Sequence, residues 1–216
     1  DDERFKARLI VDLRMGRVNE HVPEIGVRYG TLEDAMQRLT SSSWMYVLDL
    51  QYCFFNWQVA EDDTFLLGFY RPGTRQFGKY NFLPFGLKSA PGLNDSSVKE
   101  ILRLLKERRG VDLLDFVDDF FGAAGSCSEA WRQLRSAVDF LLSCDMPVST
   151  KASGVKGPAL RQTWIGWTFD TAAAVVTVTQ EKCDKLVRLC HEVLAADASR
   201  SLRSRQLASA AGLASH

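Results

Sequence analysis

The chain has 216 residues, 46% hydrophobic and 25% charged, enough for one folded domain or one with a small appendage, which excludes disordered and fibrous classes. Lys plus Arg and Asp plus Glu balance at 27 each, so there is no net charge, which counts against a nucleic-acid binder unless basic residues are concentrated locally. No apolar run approaches the ~18 residues of a membrane span, so no membrane partner is expected. Asp1-Asp2-Glu3-Arg4 does not open a signal peptide, and the expected location is intracellular, cytoplasmic or nuclear. Five cysteines without a Cys-x-x-Cys pair argue against a disulfide framework or structural zinc and fit a reducing compartment.

Residues 8–13 read as a strand. Thr31 is placed to cap a short helix running to about Leu39. Residues 45–50 are almost wholly apolar except for Asp49, which predicts a strand buried on both faces and therefore central in a sheet. Strands are expected at 65–70 and 77–83, joined by the turn Arg71-Pro72-Gly73-Thr74. Ser89-Ala90-Pro91 opens a helix to about Arg109, with Val98, Ile101, Leu102 and Leu105 at helical spacing. Its 99–109 stretch carries five basic and two acidic side chains, suited equally to phosphates or to solvent.

Residues 113–121 read as strand–turn–strand. An amphipathic helix is expected over 129–144 through Trp131, Leu134, Val138, Leu141 and Leu142. Residues 163–169 and 174–178 form a predicted hairpin around Asp170-Thr171, followed by helices at about 180–195 and 203–213. Cys183, Cys190 and His191 fall on the first of these and are expected as buried helix residues rather than metal ligands. Strands and helices mix without strict alternation, which predicts an α+β fold with an antiparallel sheet and flanking helices.

The chemistry begins at Asp118-Asp119, two carboxylates between Phe116-Val117 and Phe120-Phe121. A tight turn would hold them side by side, where they repel and lose solvation. A hard divalent cation, Mg2+ or Mn2+, relieves both. An exposed acidic turn is the plainer alternative. Asp49 sharpens the case, because it is a carboxylate on an otherwise apolar strand. If that strand lies beside the turn, three carboxylates converge, as needed to hold two ions roughly 3.5–4 Å apart for nucleotidyl transfer. Asp112 and Asp115 alternate with apolar neighbours and are expected to face solvent.

These residues resemble the motifs of reverse transcriptases. Phe116-Val117-Asp118-Asp119 resembles their (Tyr/Phe)-x-Asp-Asp box, and residues 48–55 resemble their first carboxylate motif. Residues 83–91 resemble the LPFGL-x-SAP segment of gypsy-type and DIRS-type (tyrosine-recombinase) retrotransposons. Arg8 to Arg14 resembles the fingers motif R-x-x-x-D-x-R, with Asn19 nearby, and Trp164-Ile165-Gly166-Trp167 resembles the primer-grip hairpin. The segment from Leu202 onward resembles the start of a thumb or connection.

The resemblance implies a polymerase palm with partial fingers and the start of a thumb: partial fingers over 1–45, palm over 46–64, a fingers/palm hairpin over 65–88, palm over 89–170, and the end of the palm hairpin with a truncated thumb or connection start over 171–216. It implies an RNA-directed DNA polymerase with two Mg2+ ions (or Mn2+) on Asp49, Asp118, Asp119 and the Leu50 carbonyl, with Asp119 the least direct ligand. Arg8 would clamp the dNTP triphosphate. Phe54 would exclude a ribose 2′-hydroxyl, and Phe85 and Gly86 would lie under the nucleotide and template base. Lys151 would protonate the leaving pyrophosphate, and Asp12 would hold the fingers rather than perform chemistry. The implied partners are an RNA or DNA template with primer, dNTPs, and the rest of a retroelement polyprotein, including RNase H and a recombinase or integrase.

Each of these residues also has a bland reading: a surface Arg8 or Lys151, a core Phe54, a plain turn at Phe85-Gly86, core tryptophans at 164 and 167. The chain departs from the family pattern in the spacing from Arg14 to Asn19, in Tyr52-Cys53 before Phe54, and in Asn94-Asp95 where apolar side chains are usual. A decayed or repurposed palm that only binds is the main alternative. An RNA polymerase of the same palm class is disfavoured by Phe54, since recognition of a 2′-hydroxyl calls for a polar residue there.

Overall fold

The computed structural model describes residues 10–14, 16–71, 73–151 and 154–198. The expected strand at 8–13 and the expected helix at 203–213 fall partly or wholly outside them. The described residues 10–13 form no strand, and Leu13 is instead buried in an apolar cluster with Leu67, Leu83, Leu87 and Ala90. A short helix, α1 (Val18–His21), follows. The second, α2 (Leu32–Gln37), starts at Thr31 with a reciprocal capping box: the Thr31 hydroxyl accepts from the Asp34 amide, and the Asp34 carboxylate accepts from the Thr31 amide.

Strand β1 (Trp44–Asp49) is central, as its apolar run predicts. After two 3-10 turns (Cys53–Asn56 and Glu61–Leu67) comes the hairpin of β2 (Gly68–Tyr70) and β3 (Phe77–Lys79). The expected strands at 65–70 and 77–83 are thus much shorter. The Thr64 hydroxyl donates to the Glu61 carbonyl and winds the first stretch into a 3-10 turn. Helix α3 (Ala90–Arg109) has Pro91 in its first turn and ends at Gly110 in left-handed backbone. Strands β4 (Leu114–Phe116) and β5 (Asp119–Ala124) precede α4 (Cys127–Ser143), capped by the Ser126 hydroxyl. Then follow β6 (Val155–Ala159), β7 (Arg161–Trp164), β8 (Trp167–Asp170), β9 (Val175–Val178) and α5 (Gln180–Ala198).

The main sheet is antiparallel, in the order β4-β5-β1-β6. Alternation along β1 separates two cores. Tyr46 and Leu48 face α3 and α4, packing with Val98, Leu102, Leu105, Leu134, Phe140 and Leu141. Met45 and Val47 face the other way, onto Phe121, Trp164 and Phe169 beneath the three-stranded sheet β7-β8-β9.

Three further expectations are corrected, and one strand, β6, is one that the sequence did not signal. The buried stripe of α4 is Ala130, Leu134, Ala137, Phe140 and Leu141, while Trp131 and Leu142 are exposed. Small alanines make up part of the face on the sheet, so large apolar residues alone mislead. Residues 163–169 are two strands, because Ile165 and Gly166 take φ 45 and φ 82 and form a two-residue hairpin turn. Strand β6 contains Gly157-Pro158, a turn signal, yet the strand is tolerated at a sheet edge where one side needs no donor. On α5, Cys183 is half-buried and Cys190 and His191 are exposed rather than buried.

In the 99–109 stretch, Lys99 pairs with Asp95, Arg103 with Glu100 and Glu107, and Lys106 with Asp112. Much of its positive charge is therefore met within the chain. No helix among the described residues is long and apolar enough to cross a membrane.

Candidate active site

Asp49 ends β1, Asp119 begins β5, and the two are directly opposite in the antiparallel register. Asp118 occupies the turn between β4 and β5, and its carbonyl accepts from the Leu50 amide at 2.8 Å. The Asp49 amide donates to the Gly154 carbonyl at 2.7 Å, and its carbonyl accepts from the Ser149 amide at 2.8 Å. Backbone pairing on both sides therefore fixes where this carboxylate is carried. Sheet topology brings together three carboxylates that lie 69 and 70 positions apart in sequence (118 − 49 and 119 − 49).

Burial pushes the Asp119 carboxyl up to about 6, and the charges of Asp118 and Asp49 add to the rise, while Lys156 on β6 opposes it. The site's donor atoms are hard oxygens, the kind a divalent cation of the Mg2+ class selects. Among the described residues no three carboxylate, imidazole or thiol side chains are gathered closely enough to hold a metal ion by themselves. That is compatible with Mg2+, which commonly takes one or two carboxylates and completes its shell with water and substrate phosphates.

The turn itself is unusual. Val117 has φ 61, a left-handed backbone that β-branched residues rarely adopt. Phe116 packs against Tyr29 at 5.2 Å between ring centroids, and the Gly30 amide donates to the Asp115 carbonyl. The incoming coil thereby covers Asp115, which is only 9% exposed rather than solvent-facing, and burial raises its carboxyl above the usual range. Asp112 remains half-exposed, paired with Arg38 and Lys106.

Phe54 lies in the 3-10 turn that follows Asp49, edge-on to Phe85 at 5.3 Å. Phe55 also meets Phe85 edge-on and stacks on Tyr80. Gly86 has φ 98, and a Cβ there would lie 2.7 Å from the Val11 carbonyl, so the position requires glycine. Asn19 clamps this segment: its amide nitrogen donates to the Gly86 carbonyl and its oxygen accepts from the Lys88 amide, both at 2.8 Å. Asp12 bonds locally to Arg14. Lys151 is exposed just before β6, and its carbonyl accepts from the Gly154 amide. Arg8 lies outside the described residues.

The hairpin expected to grip a primer divides. Ile165 and Trp167 line a cleft of about 690 Å³ together with Arg28, Tyr29, Thr31 and Phe116, so this part of the hairpin faces the space beside the strand that leads into the Asp118 turn. Gly166 makes the turn, and Lys182 sits over the Trp167 ring at 4.8 Å. Trp164 points the other way. It is 2% exposed and stacked on Phe121 at 5.2 Å, and its buried indole N–H has no hydrogen-bond partner among the described residues. Trp164→Ala is therefore expected to cost about 3–5 kcal/mol in urea unfolding, and Trp164→Phe much less, since no hydrogen bond is lost. Equal losses for both would show that the indole nitrogen has a partner.

Sequence reasoning missed Lys156 altogether and flagged Asn94 without assigning it a role. Lys156 is placed near Asp119 only by strand pairing to Val47. Asn94 stands out in sequence as a polar residue where an apolar one is usual, and in the fold it reaches the Val117 carbonyl.

A family model described as reverse transcriptase (RNA-dependent DNA polymerase) matches residues 6–169. The chain has no significant match among curated protein sequences. Among solved structures, a foamy viral protease-reverse transcriptase in complex with double-stranded DNA (the dRH form) superimposes with TM-score 0.71 at 21% identity, covering 95% of this chain and 32% of that one. The foamy viral enzyme in complex with RNA/DNA hybrid gives TM-score 0.66 at 22% identity, covering 91% of this chain and 24% of that one. Its complex with double-stranded DNA gives TM-score 0.66 at 20% identity, covering 91% and 37%. The chain thus spans between a quarter and somewhat over a third of the length of these structures and shares their fold. With the match running through both strands that carry the carboxylates, the chain belongs to the reverse transcriptase (RNA-dependent DNA polymerase) family.

Proposed function

We propose that this chain is the catalytic core of an RNA-directed DNA polymerase, extending a primer 3′-end with deoxynucleotides on an RNA or DNA template. The observation that carries this reading is the cross-strand pair Asp49–Asp119 with Asp118 on the adjoining turn. Asp49, Asp118 and Asp119, with the Leu50 carbonyl, would hold two Mg2+ (or Mn2+) ions. Such a pair, when bound, activates the attacking hydroxyl and stabilises the leaving pyrophosphate.

The chain's own residues supply position and selection. Phe54, braced by Phe85, forms a wall against a 2′-hydroxyl. Gly86 keeps the surface beside that wall low. Arg8 clamps the triphosphate, and Lys151 delivers a proton to the departing pyrophosphate. The Ile165-Gly166 turn and Trp167 steady the primer from the cleft beside Phe116, with Trp164 supporting them from the core. In this reading 1–45 and 65–88 contribute fingers, 46–64 and 89–170 the palm, and 171–216 the end of the palm hairpin and the approach to a thumb.

The foamy viral structures are complexes with DNA and RNA/DNA hybrid, which supports a template–primer duplex as the partner here. The segment 83–91 supports an origin in a gypsy-type or DIRS-type retroelement, whose RNase H and recombinase or integrase would complete the polyprotein. Primer extension by the full-length protein on an RNA template with dNTPs and Mg2+ tests the proposal. Template-dependent DNA synthesis is expected. Tight template–primer binding without synthesis would instead support a palm repurposed for binding.

A further inference from the structure

The turn that carries Asp118 and Asp119 is strained at Val117, and so is the loop that follows Asp49, where Tyr52 and Cys53 have φ 69 and φ 32. Strained backbone of this kind persists only where its surroundings enforce it. Between the two lies Asn94, 1% exposed, on the face of α3 that otherwise buries Ala90, Val98, Leu102 and Leu105. Its Oδ1 accepts from Trp57 Nε1 at 2.7 Å and lies 3.6 Å from the Cys53 thiol. Its Nδ2 faces the Val117 carbonyl at 3.5 Å.

The orientation of this amide is dictated by its neighbours. An indole N–H only donates, so it must meet Oδ1. That leaves Nδ2 for a carbonyl, which only accepts. An amide buried on an apolar helix face is costly unless its groups are matched, and here each end is matched to a different half of the site. A hydrocarbon at 94 could fill the space but could not tie the halves together.

We infer that Asn94 is a positioning residue, whose amide ties the loop following Asp49 to the turn carrying Asp118 and Asp119 and so sets the separation of the three carboxylates. The catalytic part of this inference rests on the polymerase reading above. Mg2+ demands near-ideal octahedral geometry, so a small shift between the carboxylates is felt most with Mg2+ and less with the larger Mn2+.

The test compares Trp57→Phe with Trp57→Phe/Asn94→Leu. Both lack the indole N–H that Asn94→Leu alone would leave stranded, so the remaining difference is what the amide itself joins, the Val117 carbonyl at one end and the Cys53 thiol at the other. In metal-free protein, hydrogen–deuterium exchange at the Leu50 amide, which donates to the Asp118 carbonyl, reports whether strand and turn stay joined. The double variant is expected to exchange this amide at least about tenfold faster than Trp57→Phe. In primer extension its kcat with Mg2+ falls about ten- to a hundredfold, the scale of a misplaced reacting group. KM for dNTP changes little, and the loss shrinks in Mn2+. Unchanged Leu50 exchange overturns the inference, and so does faster exchange with unchanged kcat. Should the wild-type protein extend no primer, the polymerase reading fails, and the exchange comparison alone decides whether Asn94 ties the two halves.

Discussion

Asp118→Asn is expected to reduce primer extension with Mg2+ by about a hundred- to a thousandfold, the loss seen when one preorganised contact to developing charge is removed. The neutral amide keeps the shape of the side chain. It also keeps the turn, which is held through the backbone bond from the Leu50 amide to the Asp118 carbonyl. What it removes is one negative charge beside Asp119, whose carboxyl is raised to about 6 first by burial and then by the charges of Asp118 and Asp49. Template–primer affinity should therefore stay within a few-fold of wild type, because that grip comes mainly from phosphate contacts elsewhere. Gel-based extension alongside fluorescence anisotropy measures both quantities. Extension at the wild-type level would remove Asp118 from the chemistry.

Phe54→Ala is expected to have the second largest effect, on selection rather than rate. The ring sits edge-on to Phe85 at the end of the loop that begins at Asp49. In the proposed reading this ring is a wall that leaves no room for an added hydroxyl. Opening it should raise the incorporation of ribonucleotides relative to deoxynucleotides by about ten- to a hundredfold, the range over which a pocket discriminates one small group. The lost edge contact should also lower stability by about 1 kcal/mol. The ratio of kcat/KM for rNTP and dNTP on one template reads the first effect, and thermal unfolding the second. An unchanged ratio would mean that Phe54 only braces Phe85.

The features legible in sequence are those whose signal is local. Thr31 and Asp34 announce a helix start within four positions, and both capping bonds are present. The apolar run at 45–50 announces a central strand, and β1 is paired on both sides. The acidic pair after Phe116-Val117 announces a turn between strands, and β4 and β5 flank it. Features set by distant segments were not legible. Asp115 alternates like a solvent-facing residue, but a coil some 85 positions earlier covers it through the Gly30 amide. Trp164 and Trp167 look equivalent, yet they sit on opposite sides of a turn made by Ile165 and Gly166, one in the core and one at the cleft. Strand β6 gives no strand signal in sequence, because Gly157-Pro158 is punctuation everywhere except at a sheet edge. Lys156 and its influence on Asp119 were hidden with it.

The central claim is that Asp49, Asp118 and Asp119 together hold the cations of nucleotidyl transfer. Electron paramagnetic resonance can count Mn2+ bound to a stalled complex of the protein, a template with a dideoxy-terminated primer, and an unreactive dNTP analogue. The account predicts two ions per protein in the wild type and fewer in Asp118→Asn. The same count in both, or no bound ion in the wild type, would contradict it.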